Sequence, residues 1–152
     1  MAEDWAKTVA KKVEGRVAEE AERLATQRKR FEDGVERFRK QLLDLVAAVN
    51  ANIASETHRI QVIVLDNGII LAAAYKRVMT TEEIGATEGI PASVGKVTVA
   101  RENRKALAAP AEPEEIYITT TGTQSTFYRR PAGQLKIMGD GEFRQLIEYF
   151  AN

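Results

Sequence analysis

The sequence predicts an α+β protein: a long N-terminal heptad-patterned helix, an antiparallel sheet of five or six strands, and a short C-terminal helix. Three observations lead there. Val17, Leu24, Phe31, Phe38 and Leu45 fall seven residues apart, with Ala21, Arg28, Val35, Leu42 and Val49 interleaved at the same interval. Alternating steps of three and four put all ten on one side of an α-helix. An Asn67-Gly68 pair between two β-branched, apolar runs is a strong hairpin signal. At the far end Phe143, Leu146, Ile147 and Phe150 share one helical face.

The first helix is expected over residues 4 to 53. The stretch contains no proline and is dense in Ala, Glu, Lys, Arg, Leu and Gln, all good helix formers. Asp4 suits an N-cap, and the early acids Glu3 and Asp4 suit the positive end of the helix dipole. Such a helix is roughly 75 Å long, more than the width of a body built from the other hundred residues. Part of it must therefore project, pair with a partner or fold back. Gly15 and Gly34 each cost the helix about 1 kcal/mol. The stripe keeps its phase across Gly34, which favours one continuous helix. A break near Thr26 or Gly34, giving a helical hairpin, is the alternative. From 6 to 40 the stripe is narrow and interrupted by charge, whereas between 42 and 49 only Asp44 is polar. A helix apolar nearly all round is buried nearly all round. We therefore expect residues 1–41 to form a projecting or pairing arm, and residues 42–152 an α+β body.

Strands are expected over 59–65, 69–78, 96–101, around Ile116 and Ile118, over 125–130 and over 134–138. The first two are apolar on both faces, so both faces should be covered. Ala72, Ala73 and Ala74 are small enough to let a helix approach closely. Residues 80–95, with three Gly and a Pro, read as a long loop, and 108–113 as an extended Ala/Pro/Glu connector. Asp140 is expected to cap the final helix, 142–150.

Composition narrows function. The 22 basic and 22 acidic residues cancel, so no net field points toward nucleic acid or an anionic membrane. The absence of Cys excludes disulfides and thiolate metal sites. No secretory leader and no apolar run long enough to span a bilayer is present, so a soluble cytoplasmic protein is expected.

No catalytic constellation emerges, and no cofactor or metal is expected. Residues 89–96 have five residues between Gly89 and Gly95-Lys96 where a phosphate-binding loop needs four, and Val97 follows where Ser or Thr is required. His58, the single His, reads as a half-exposed residue at the helix-to-strand junction. Glu82 with Glu83, and Glu112 with Glu114 and Glu115, lack calcium-loop spacing and read as solvated loop charge. Thr119, Thr120, Thr121, Thr123, Ser125 and Thr126 make a hydroxyl-rich hairpin, favoured on the wet face of a sheet. Arg23, Arg28, Lys29, Arg30, Arg37, Arg39 and Lys40 against three acids leave +4 across 23–40, best read as ion-paired helix surface.

The functional expectation is a non-catalytic interaction or scaffold protein that self-associates, as a homodimer or other homo-oligomer, or binds a protein partner through its first helix. The residues expected at that interface are Val17, Leu24, Arg28, Phe31, Val35, Phe38 and Leu42. Arg28 is the charged member, of the kind that sets register at a cost in stability. Neither a membrane nor a nucleic acid is expected as partner. The alternative is a small-ligand-binding or enzymatic α+β domain with a pocket between sheet and helices.

Overall fold

A computed structural model describes residues 2–106 and 111–151 of the chain. It is α+β, as the sequence predicts. Helix α1 (Ala2–Ala51) runs unbroken, followed by a 3-10 turn at Glu56–His58. Seven strands come next: β1 (Gln61–Leu65), β2 (Gly68–Ala73), β3 (Lys76–Ile84), β4 (Ser93–Asn103), β5 (Glu114–Thr121), β6 (Gln124–Arg129) and β7 (Lys136–Ile137). Helix α2 (Asp140–Glu148) closes the fold. The strands form one antiparallel sheet in strictly sequential order, a meander. No helix among the described residues is long and apolar enough to cross a membrane.

Helix α1 lies across β4, β5 and β6, and α2 packs beside it. Inward side chains of the sheet, among them Ile69, Leu71, Val78, Val97, Val99, Ile116 and Ile118, meet Val35, Phe38, Leu42 and Val46 of α1. Phe38, Phe127 and Phe143 join the three layers, with ring centroids 5.1–5.5 Å apart in tilted and edge-to-face geometry. Gly34 belongs to this contact. A Cβ there would stand 2.7 Å from Thr120 Oγ1 and collide with Ile118. Gly95 does the same from the sheet side: the β4–β5 register shifts at this point, and a Cβ would strike the Phe31 ring. Each glycine thus admits its partner at close range, and for Gly34 that outweighs its poor helix propensity.

Several expectations are corrected. The sheet has seven strands, not five or six, because the run expected over 69–78 is two strands joined at Ala74 and Tyr75. Ala74 makes that turn with φ 52°, a left-handed conformation that its residue type does not advertise. The loop expected over 80–95 shrinks to 85–92, since β3 runs on to Ile84 and β4 begins at Ser93. The inward alternation of β3 continues through Thr80 and Glu82, polar residues invisible to a hydrophobic pattern. The faces of β1 and β2 are not both covered. Strand β1 is the sheet's edge, not covered by α1, and Val62, Ile63, Val64 and Leu65 are all exposed. Ala72 and Ala73 are only half-buried and Ala74 is exposed, so no helix crosses them closely.

The end of α1 is not buried all round: Leu42 and Val46 are buried, while Ala47, Ala48 and Val49 stay exposed. Packing on the body begins earlier instead, at Phe31, well ahead of residue 42. Asp4 lies within the first helical turn, not at its cap, with its carbonyl accepting from Thr8 Oγ1 at 2.9 Å. Gly139, not Asp140, is the N-cap of α2, and its N–H donates to the Glu142 carboxylate at 2.9 Å. Of the expected 108–113 connector, 108–110 lie outside the described residues and 111–113 are exposed.

Candidate functional site

The strongest candidate is the uncovered half of α1. From residue 2 to 26 every position is exposed. Of its apolar members, Val13, Val17 and Leu24 continue the face that further along carries Phe31, Val35, Phe38 and Leu42, while Val9 and Trp5, reached by steps of four, drift onto one flank of it. That face is under the sheet from Phe31 onward and in open solvent before it. Trp5 is 71% exposed, Val17 62% and Leu24 53%.

The seven residues expected at an interface therefore divide. Phe38 and Leu42 are 0% exposed and Val35 is buried, all three covered by the chain's own sheet and α2. Phe31 is half-buried against Gly95. Val17, Leu24 and Arg28 remain free.

The basic middle of α1 is partly engaged. Arg37 donates to Ser125 Oγ at 2.8 Å, and Lys40 pairs with Asp44 at 2.8 Å. Arg39 forks onto Glu82, Nε to Oε2 at 2.6 Å and Nη2 to Oε1 at 2.7 Å, and also donates to the Leu65 carbonyl at 2.9 Å. This bidentate bond holds the Arg39 guanidinium charged more firmly than usual. It ties α1 to β3 and to the β1–β2 hairpin. Glu82 is therefore a buried strand residue and not loop charge. Glu114 likewise sits on β5, paired with Arg101 at 3.2 Å and with Arg129. The Thr120 and Ser125 hydroxyls, 3.1 Å apart, face α1 and not solvent.

A second candidate is an apolar cleft of about 630 Å³ where the end of α1, α2 and the beginning of the sheet leave a gap. Leu45, Val49, Ile60, Ile147 and Phe150 line it, and His58 stands at its edge. His58 is exposed on the 3-10 turn, more open than the junction position suggested.

A third lies on the sheet face turned away from α1. Lys96 reaches Glu115 at 3.1 Å and Glu83 at 3.7 Å. The Tyr117 hydroxyl donates to the other Glu115 oxygen at 2.8 Å, and the Arg130 guanidinium lies 5.2 Å from the Tyr117 ring centre. The Tyr117 bond, then Lys96, holds the Glu115 carboxyl below its ordinary range. Desolvation and then Glu115 push the Tyr117 hydroxyl up, and the Glu115 bond raises Lys96. These groups come from strands distant in sequence, so spacing could not reveal them. Each already has a partner, and the cluster reads as a cross-strand ion-pair network. No group of three or more metal-ligating residues occurs among the described residues.

No family model matches the chain, and neither the curated proteins nor the solved structures compared with it contain a match.

Proposed function

We propose that this protein is a non-catalytic interaction protein, a scaffold that self-associates through its N-terminal helix. The observation that carries this reading is the exposed stripe of α1, an apolar face continuous with the core face but with nothing on it. Apolar surface removed from water is worth roughly 25 cal/mol per Å², so a helix with such a seam gains by covering it. Among the described residues, the arm makes side-chain hydrogen bonds and ion pairs only within itself, Thr8 to Asp4 and Arg23 to Glu20. The test is light scattering coupled to size exclusion at two concentrations. A dimer or larger species is expected, and a monodisperse species at the 16.9 kDa of one chain would overturn the reading.

A second reading, a small-ligand-binding or enzymatic domain, is favoured by the cleft beside His58, whose volume falls within the usual range for ligand sites. Its test is the binding of an environment-sensitive apolar dye, with Ile147→Trp expected to fill the cleft and abolish the signal. A dye signal unchanged by that substitution would exclude the cleft as the binding site.

A further inference from the structure

We propose that the occupant of the free stripe is a second copy of the same arm, antiparallel, with the two-fold axis beside Gly15 and each Trp5 seated against the other copy's body. This rests on the self-association reading above and names its geometry.

The direction follows from where the sheet lies. The stripe of the arm and the face under the sheet are one continuous side of α1. A parallel, in-register partner following that side would run into the body at Phe31, where β4 and β5 already occupy it. An antiparallel partner does not. The uncovered stretch runs from residue 2 to 26, and a copy reversed about Gly15 brings its own residue 3 to the level of Gln27, one turn ahead of Phe31, where packing on the body begins.

The register is self-complementary, as an isologous contact requires. Reversal about Gly15 sets Val13 opposite the second copy's Val17, Val9 opposite its Ala21, and Ala6 opposite its Leu24. In an antiparallel pair each flank meets the same flank of the partner. Glu3 then neighbours the second copy's Arg28. That pairing gives Arg28, an exposed cation on the stripe, an opposite charge. Parallel pairing would set each Arg28 beside the other.

The third element is a hollow of about 770 Å³ where the arm leaves the body, lined by Glu22, Arg23, Gln27 and Arg30 of α1 and by Ala92 and Val94. Trp5 of the reversed copy arrives at the level of Ala25, on the flank that carries Arg23 and Gln27. Arg23 and Arg30 offer cations to the indole face, and Glu22 an acceptor for its N–H.

The natural chain has no cysteine, so single labels are simple to place. Asp4→Cys, Gly15→Cys and Ala18→Cys each put a spin label on the exposed side of α1 opposite the stripe, and a Cβ at Gly15 meets nothing within 4 Å. In the full-length protein, dipolar distances between copies should be shortest at Gly15. The two Ala18 labels should be offset by about 9 Å along the axis, and the two Asp4 labels by about 33 Å. Equal distances at all three sites would mean parallel arms and overturn the inference while self-association stood. A monomeric mass with no distance between copies would overturn both. Trp5→Ala should raise the dimer dissociation constant by about tenfold or more, and an unchanged constant would remove Trp5 from the interface.

Discussion

The two halves of α1 carry the same kind of pattern on the same side of one helix and meet opposite fates. In the second half, Val35, Phe38, Leu42 and Val46 are buried against the sheet and α2. In the first, Val9, Val13, Val17 and Leu24 lie in solvent. The residue types barely differ. What differs is the surface opposite: β4, β5 and β6 lie beneath one half, while residues 2 to 26 of the other are exposed throughout. A helical stripe states that a face needs a partner, and leaves open whether the chain supplies it.

The contrast can be broken most forcefully at Phe38. Phe38→Asp would set a carboxylate at the centre of the three-ring cluster, at a position that is 0% exposed. The expected loss exceeds about 5 kcal/mol, enough to unfold a domain of ordinary stability. Loss of cooperative thermal unfolding checks it, and a near-normal melt would mean that the buried half of the stripe is not core.

Next comes Arg39→Ala, which strands Glu82 in a site where its side chain is 4% exposed. The expected cost is about 3–5 kcal/mol in urea denaturation. Replacing both, Arg39→Met with Glu82→Leu, should recover most of it. Equal losses for the single and double variants would show that packing of the Arg39 stem matters more than the charge pair.

The ion-pair cluster on the open face predicts a smaller, pH-dependent effect. The Glu115 carboxyl is held below its ordinary range, so its contribution is present above the unfolded value near 4.3 and fades as pH falls through the folded one. Glu115 is partly exposed, so less than about 1 kcal/mol is at stake. Glu115→Gln should lower stability near pH 7 by less than about 1 kcal/mol and make no difference at pH values below both the folded and unfolded titrations, which flattens the acid limb of the profile.

The smallest effect on the fold sharpens the comparison best. Leu24→Asp sits on the same stripe as Phe38→Asp but on its uncovered half. Measured by urea at concentrations where the chain is monomeric, it should shift stability by less than about 0.5 kcal/mol. The same variant should lower the mass seen by light scattering at high concentration. A large loss of monomer stability would mean that the arm packs on its own body.

Much of the fold was legible. The long helix, the first hairpin and the amphipathic α2 were visible because each rests on residues close in sequence, although the hairpin turns at Asp66-Asn67, with Gly68 already paired to Leu65 as the first residue of β2. The misreadings have a common cause. Ala74 takes a turn conformation that Gly or Asn would have signalled. Thr80 and Glu82 point inward, Thr80 bonded to the Ile69 N–H at 2.9 Å and Glu82 to Arg39, so β3 looked like loop. Of the candidate sites, only the stripe could be read, since the cleft beside His58 and the cluster around Glu115 assemble from distant segments.

Taken alone, then, the sequence determined where the two helices and the first hairpin form, and that one side of α1 requires cover. Periodicity and turn chemistry act over a few residues, so both are written locally. Only the tertiary structure decided that Phe31 onward is covered by the sheet, that residues 2 to 26 are not, and that β1 is left as an exposed edge. Burial depends on which distant atoms arrive opposite a side chain, and that is a property of the folded chain as a whole.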